Sequence, residues 1–259
     1  MDPDRKFRAL SLDLGQTVWW DTPLDALRHD EARARVLSTT LVGANDRRFE
    51  PPEIADADRE FREGLDGERR GYGTVSTRRR VLGIAERLQA RFAAPLDEVL
   101  TRFGSAGLDS HPPTINPEAR RLVQSMNHDR IPVVAISNTQ RTGHAWGAFL
   151  RSEGMALAFV ITSSDLEVGK PDPRLFLAAG ERLRVPLTDI LHVGDRWATD
   201  VVGALSVGMG AALYRGLWPR YWNSEDGSPT DPGGEPEVYR WDHLGRARDH
   251  FPSRGSARG

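Results

Sequence analysis

Two hydrophobic rhythms divide this chain. Residues 7–13, Phe-Arg-Ala-Leu-Ser-Leu-Asp, read as a short apolar strand that ends at Asp13. From about residue 22 to 110 the apolar positions recur at helical spacing, and no strand is expected. The candidate helices are 23–41, 52–64, 76–93 and 95–104, with Pro23, Pro52 and Pro95 near their first turns, where a missing N–H costs little. Gly64, Gly67, Gly71 and Gly73 mark a loop between the second and third. Beyond this block, short apolar runs alternate with helical ones. The runs 131–136, 158–161 and 190–193 read as strands, followed by helices at 142–153, 173–184 and 197–207, the last ended by Gly208. Residues 211–214 and 238–239 complete the series as candidate strands.

That alternation predicts an α/β core, a Rossmann-like doubly wound parallel sheet. The helical block interrupts the core directly after its first strand. The expected division is therefore a core of 1–20 and 111–251, an inserted helical cap of 21–110 and a disordered tail of 252–259. Such an insertion stands above the carboxyl ends of the strands, where open α/β sheets bind ligands. The polar stretch 223–236 reads as a loop.

Composition narrows the partners. The 259 residues are 39% hydrophobic and carry a formal net charge of −2, so no global electrostatic footprint for nucleic acid or an anionic membrane is present. No apolar run approaches the ~20 residues that span a bilayer, and the N-terminus lacks an apolar leader segment. Zero cysteines exclude disulfide and thiol chemistry, and a cytoplasmic enzyme is the expected class. The oligomeric state leaves no mark in the sequence. Lys6 and Lys170 are the two lysines in a chain whose other cations are all arginine. A lysine inside Gly169-Lys170-Pro171-Asp172-Pro173 therefore stands out, and a compact ammonium suits a phosphate oxygen.

Four pieces carry candidate chemistry, each after its own strand. Asp13 emerges at the end of the first strand, two residues before Gly15, and a carboxylate so placed can attack phosphorus. Ser137, Asn138 and Thr139 follow the second strand, where a hydroxyl and free backbone N–H groups can hold phosphate oxygens or cap the next helix. Lys170 lies in a proline-stiffened loop, with Asp172 a plausible N-cap and Pro173 at the first helical position. Val193-Gly194-Asp195 ends another strand and Asp200 comes five positions later, hard oxygen ligands at a spacing that suits Mg²⁺.

In this order the four pieces resemble the haloacid dehalogenase-like hydrolase superfamily, in particular its phosphatase-type members with a helical cap. The resemblance covers essentially the whole chain. It implies Asp13 as nucleophile, Ser137 and Asn138 with Lys170 as phosphate binders, and Lys170 as the charge-neutralising residue. It implies Mg²⁺ held by Asp13, the backbone carbonyl of Gly15 and Asp195, with Asp200 contributing directly or indirectly. The substrate implied is a small phosphorylated molecule.

One position departs from that pattern. The phosphatases usually carry a second Asp where this chain has Gly15, which keeps the metal-binding carbonyl but loses the acid/base carboxyl. Asp21 is the candidate replacement. Three readings follow: a Mg²⁺-dependent phosphomonoesterase, a degenerate binder of a phosphorylated ligand or protein, and a metal-independent 2-haloacid dehalogenase. The last accommodates Gly15 but leaves the Asp195 and Asp200 pair unexplained. Elsewhere, Arg78-Arg79-Arg80 reads as a solvated helix face and Trp19 and Trp20 as packing or pocket wall. His192 reads as a buried, hydrogen-bonded strand residue, Trp197 as packing between helix and sheet, and His144 as a neighbour of the site.

Overall fold

The structure is a computed structural model and describes residues 6–21, 23–66, 75–216 and 238–253. Strand β1 (Ala9–Leu12) is buried at every position, as a strand covered on both faces must be. Next come β2 (Trp19–Trp20), α1 (Pro23–Thr40), β3 (Leu41–Val42), α2 (Pro51–Asp66), α3 (Thr77–Arg87), β4 (Arg91–Phe92) and α4 (Leu96–Ser105). The chain then runs through β5 (Thr114–Ile115), α5 (Pro117–His128), β6 (Val133–Ser137), α6 (Gly143–Ser152), β7 (Phe159–Thr162) and α7 (Ser163–Leu166). It ends with α8 (Pro173–Leu183), β8 (Ile190–Gly194), α9 (Val202–Ser206), β9 (Gly210–Tyr214) and β10 (Val238–Trp241). No described helix is long and apolar enough to cross a membrane.

Six strands form one parallel sheet in the order β10-β9-β8-β1-β6-β7. The order reverses about β1, so the crevice beyond the carboxyl end of β1 is the switch point of the sheet. Alternate side chains point to opposite faces. Leu10, Leu12, Val133, Ala135, Leu191 and Val193 pack on one side with Leu122, Met126, Trp146 and Leu150 from α5 and α6. Ala9, Val134, Ile136, Ile190 and Ala211 pack on the other with Phe176, Val201 and Ala204. Trp197 belongs to this second layer, so its expected packing role holds.

The helices α1 to α4 enclose an apolar cluster of their own, with Leu37, Ile54, Ile84, Val99 and Phe103 at its centre. Within this block a two-residue antiparallel ladder joins β3 and β4, where no strand was expected. It ends α3 early: the chain turns at Gln89, with φ 49°, so that Arg91–Phe92 can pair with Leu41–Val42. Arg80 corrects another expectation. Its side chain is 1% exposed and donates from Nε to Asp58 Oδ1 at 2.7 Å and from Nη2 to Asp30 Oδ1 at 2.9 Å. Arg78 alone of the triplet is exposed. A buried guanidinium without those carboxylates would cost several kcal/mol, roughly 3–5.

Helix α5 was not expected, although Asn116 caps it by accepting from Glu118 N at 2.9 Å and Pro117 opens it. The helix expected at 197–207 begins as a π turn over Trp197–Val201 before α9, and Gly208, with φ 82°, closes it. Gly67, Gly71, Gly73, the 223–236 loop and residues 254–259 of the tail lie outside the described residues.

Candidate active site

Three strand ends and one loop meet in a cavity of about 220 Å³. Asp13 follows β1, Ser137 ends β6, Asp195 and Asp200 follow β8, and Lys170 comes from the loop between α7 and α8; all line the cavity. Parallel strands all deliver their carboxyl ends to one edge, which explains how distant sequence positions converge here. A larger cavity of about 430 Å³, between α1, α2 and α4, is lined by Arg33, Asp58, Arg62 and others and shares no residue with this one. The convergent titratable groups, not the larger volume, locate the chemistry.

Lys170 is the hub. Its Nζ donates to Asp13 Oδ1 at 2.5 Å and to Asp200 Oδ1 at 2.5 Å, in surroundings where the side chain is 2% exposed. Burial opposes its charge, but Asp13 and Asp200 outweigh that and hold the ammonium above its ordinary pKa. Asp200 also accepts from Arg196 N at 2.9 Å. Its own burial would raise its pKa, yet Lys170 and His192 pull it below the usual carboxylate range. The π turn carrying Asp200 presses that carboxylate against Gly194, where a Cβ would come within 2.3 Å of Asp200 Cγ. Only glycine fits position 194. Below this layer, His192 Nδ1 bonds with Ser11 Oγ at 2.9 Å, and burial keeps the imidazole neutral by lowering its pKa. His192 is thus the satisfied strand residue expected.

The remaining carboxylates are under-compensated. Asp13 is raised above its ordinary pKa by burial, which Lys170 offsets only in part. Asp195 is raised well above it by burial and by repulsion from Asp13 and Asp200. Its Oδ2 is buried with no hydrogen-bond partner among the described residues. Ligand atoms of Asp13, Asp195 and Asp200 all lie within 4.8 Å of one another. Three buried carboxylates facing one ammonium leave an excess of negative charge and an orphaned oxygen. A hard divalent cation fits both features, because its oxygen ligands must be ionised and share one centre.

Gly15 lines the same cavity, and nothing lies within 4 Å of the point where its Cβ would stand. Asn138 lines the cavity too, and its side-chain amide has a partner the sequence did not indicate. Its Oδ1 accepts from Lys170 N at 2.6 Å and its Nδ2 donates to Lys170 O at 3.0 Å, so the amide is committed to holding the lysine loop. Asp172 caps α8 as expected, accepting from Arg174 N at 2.9 Å. Trp19 lines the cavity and stacks on Trp146 with ring centroids 5.0 Å apart. His144 is exposed and does not line it. Three lining residues had no role assigned from sequence: Gln16, Arg196 and Thr199. Glutamine in a Gly-Gln turn carries no local signal of where its side chain goes.

Asp21 is not brought to the cavity. Its Oδ2 lies 3.6 Å from His29 Nδ1 on α1, and burial, then Asp25, raise its pKa to about 6. The folded chain therefore favours the protonated carboxyl. Its contribution to stability is full below pH 3.8 and is lost as pH rises through about 6. Thermal melts of Asp21→Asn should match wild type near pH 4 and exceed it at pH 7. Equal pH dependence in both proteins would show that Asp21 is not strained by burial.

The loop after Ser137 ties the sheet to the helical block. Thr77 Oγ1 donates to Gln140 O, Arg80 Nη1 donates to Gln140 Oε1, and Thr77 N donates to Ser164 Oγ at 3.0 Å. Arg141 Nη1 donates to Gly104 O at 2.7 Å and Ala106 O at 2.9 Å, at the carboxyl end of α4. The residues next to the candidate phosphate loop thus hold the helical block.

A model of the haloacid dehalogenase-like hydrolases matches residues 7–208. The chain belongs to this family. Among curated relatives, haloacid dehalogenase-like hydrolase domain-containing protein 3 of Danio rerio is 34% identical over 97 residues, 38% of this chain and 35% of the relative. The 5-amino-6-(5-phospho-D-ribitylamino)uracil phosphatase YigB of Escherichia coli is 37% identical over 84 residues, 32% of this chain and 33% of the relative. The aligned segments thus span about a third of these relatives. A 2-haloacid dehalogenase from Pseudomonas syringae has the same fold, with TM-score 0.58 and 23% identity over 93% of this chain and 96% of that one. So does a HAD phosphatase from Thermococcus onnurineus, with TM-score 0.56 and 20% identity over 93% and 96%. The chain is accordingly a haloacid dehalogenase-like hydrolase, an α/β enzyme with phosphatases among its relatives.

Proposed function

We propose that this hydrolase is a Mg²⁺-dependent phosphomonoesterase that acts on a small phosphorylated molecule through an aspartyl-phosphate on Asp13. The observation that carries the reading is the orphaned Asp195 oxygen within the buried Asp13, Asp195 and Asp200 cluster. A dehalogenase attacking carbon has no need of that cluster, whereas a site receiving a phosphoryl group and a cation does. In this reading Asp13, Asp195, Asp200 and the Gly15 carbonyl hold Mg²⁺, which when bound supplies charge stabilisation to the phosphoryl oxygens.

The chain's own groups do the rest. Lys170, fixed by Asn138, places its ammonium on Asp13 and lowers the repulsion between that carboxylate and an incoming phosphate. The Ser137 hydroxyl receives a phosphoryl oxygen beside the Asn138 backbone, whereas Thr139 N is already committed to Ser163 Oγ at 2.9 Å. A carboxylate oxygen of Asp13 bonds to phosphorus as the ester bond breaks, and the leaving oxygen departs with its electron pair. Without a carboxyl at Gly15, the first step favours esters whose leaving group is stable as an anion. The block 21–110 acts as a cap over the crevice, tethered through Gln140 and Arg141, and excludes water around the reacting phosphate.

The test is phosphate release from a panel of phosphomonoesters with Mg²⁺ and with excess chelator. Release should disappear in chelator and return with Mg²⁺. In parallel, Mg²⁺ should raise the melting temperature of wild type but not of Asp195→Asn, because only a folded carboxylate cluster binds it. Phosphate release that persists in chelator would remove the metal from this reading, and halide release from a 2-haloacid without phosphate release would replace it with the dehalogenase one.

A further inference from the structure

The turn after Asp13 contains a residue that its backbone does not favour. Gln16 has φ 59°, in the left-handed region that glycine enters freely and other side chains enter under strain. Its backbone is pinned there: Gln16 N donates to Trp19 O at 2.7 Å, and Gly15 bridges to Trp19. A glycine would serve this turn better. Strained residues that persist beside reacting groups are candidates for function.

The side chain supplies a second, independent observation. It lines the same cavity as Asp13 and Lys170, yet its Oε1 is buried without a hydrogen-bond partner among the described residues. A buried amide carbonyl without a partner accepts readily from a donor that a small side-chain rotation brings within reach. The neighbouring position, Gly15, has open space where a side chain would stand and no group to handle water. A glutamine amide also orients the water that attacks phosphorus in some nucleotide hydrolases.

We propose that Gln16 is a catalytic residue of the second half-reaction, whose carbonyl accepts a hydrogen bond from the attacking water and aims it at the phosphorus of the aspartyl-phosphate. The inference rests on the phosphatase reading above. In this step the water oxygen bonds to phosphorus while the bond from phosphorus to Asp13 breaks. That bond's electron pair returns to Asp13 as carboxylate. One water proton passes to a phosphoryl oxygen, the other stays on the attacking oxygen, and dihydrogen phosphate leaves. Gln16 neither gains nor loses a proton. It supplies orientation, worth about tenfold or more when a reacting water is otherwise free to turn.

The experiment uses acetyl phosphate to form the phosphoenzyme, then follows its decay after the donor is removed. Two variants separate the amide from the bulk. Gln16→Gly removes the side chain and relieves the backbone, so its melting temperature should be equal to or above that of wild type. Gln16→Leu keeps the volume without the amide. Both should form the phosphoenzyme at the wild-type rate and lose it about tenfold more slowly. Wild-type decay in Gln16→Gly would overturn the proposal. Slow decay in Gln16→Gly with wild-type decay in Gln16→Leu would also overturn it, assigning the effect to space filling. A wild-type enzyme that never acquires the phosphoryl group would bring down the phosphatase reading and this role together, whereas unchanged variants of a phosphorylated enzyme remove this role alone.

Discussion

Gly15→Asp is expected to accelerate hydrolysis of phosphate esters with poor leaving groups by about 10²–10⁴-fold, the usual contribution of a placed acid/base. Few active sites tolerate a new carboxylate, but this one has room. Nothing lies within 4 Å of the position a Cβ would take, and φ at Gly15 lies outside the left-handed region. The backbone carbonyl stays where it is, so cation binding is not disturbed. The new carboxyl lines the cavity two residues from the nucleophile and can protonate an alkoxide as it departs. The gain should depend on the leaving group: large for an alkyl phosphate, small for an aryl phosphate whose phenolate needs no proton. Comparing kcat/KM for the two ester classes in both proteins checks this. A uniform change, or none, would show that proton transfer does not limit the natural enzyme.

Asp13→Asn carries the second large effect, a loss on the order of 10⁴-fold or more in phosphate release, because an amide cannot form the covalent intermediate. The loss should come without unfolding. Lys170 keeps its bond to Asp200 at 2.5 Å, and one of the three crowded carboxylates is gone. Measured without Mg²⁺, the variant should melt no lower than wild type, since burial had raised the pKa of Asp13 and left its charge incompletely offset. Residual activity near the wild-type level would remove Asp13 from the chemistry. A collapsed melting temperature would instead point to a structural loss.

Much of this site was legible in the chain because its chemistry is local to strand ends. Asp13, Ser137 and Asp195 each follow an apolar run, and a parallel sheet brings such ends together without further instruction. The cap of α8 by Asp172 and the stop at Gly208 were equally local. What was illegible depends on neighbours from distant parts of the sequence. Asn138 faces a backbone 32 residues away, so its amide could not be assigned to the lysine loop beforehand. Arg80 sits in a run of three arginines, and only the packing of α2 against α3 decides that it alone is buried. Asp21 lies eight positions after the nucleophile, yet the chain leaves the cavity at Trp19 and delivers it to His29. Gln16 hid for the opposite reason: it is adjacent to the motif, but turn geometry gives no hint of where its side chain points.

The central claim is a covalent phosphoryl group on Asp13. Its most direct measurement is rapid acid quenching during turnover in heavy-oxygen water, followed by mass spectrometry of the peptide that contains Asp13. The account predicts one added phosphoryl group on that peptide in wild type, none in Asp13→Asn, and heavy oxygen in the released phosphate. An unmodified peptide throughout turnover, or heavy oxygen in the Asp13 carboxylate itself, would contradict it.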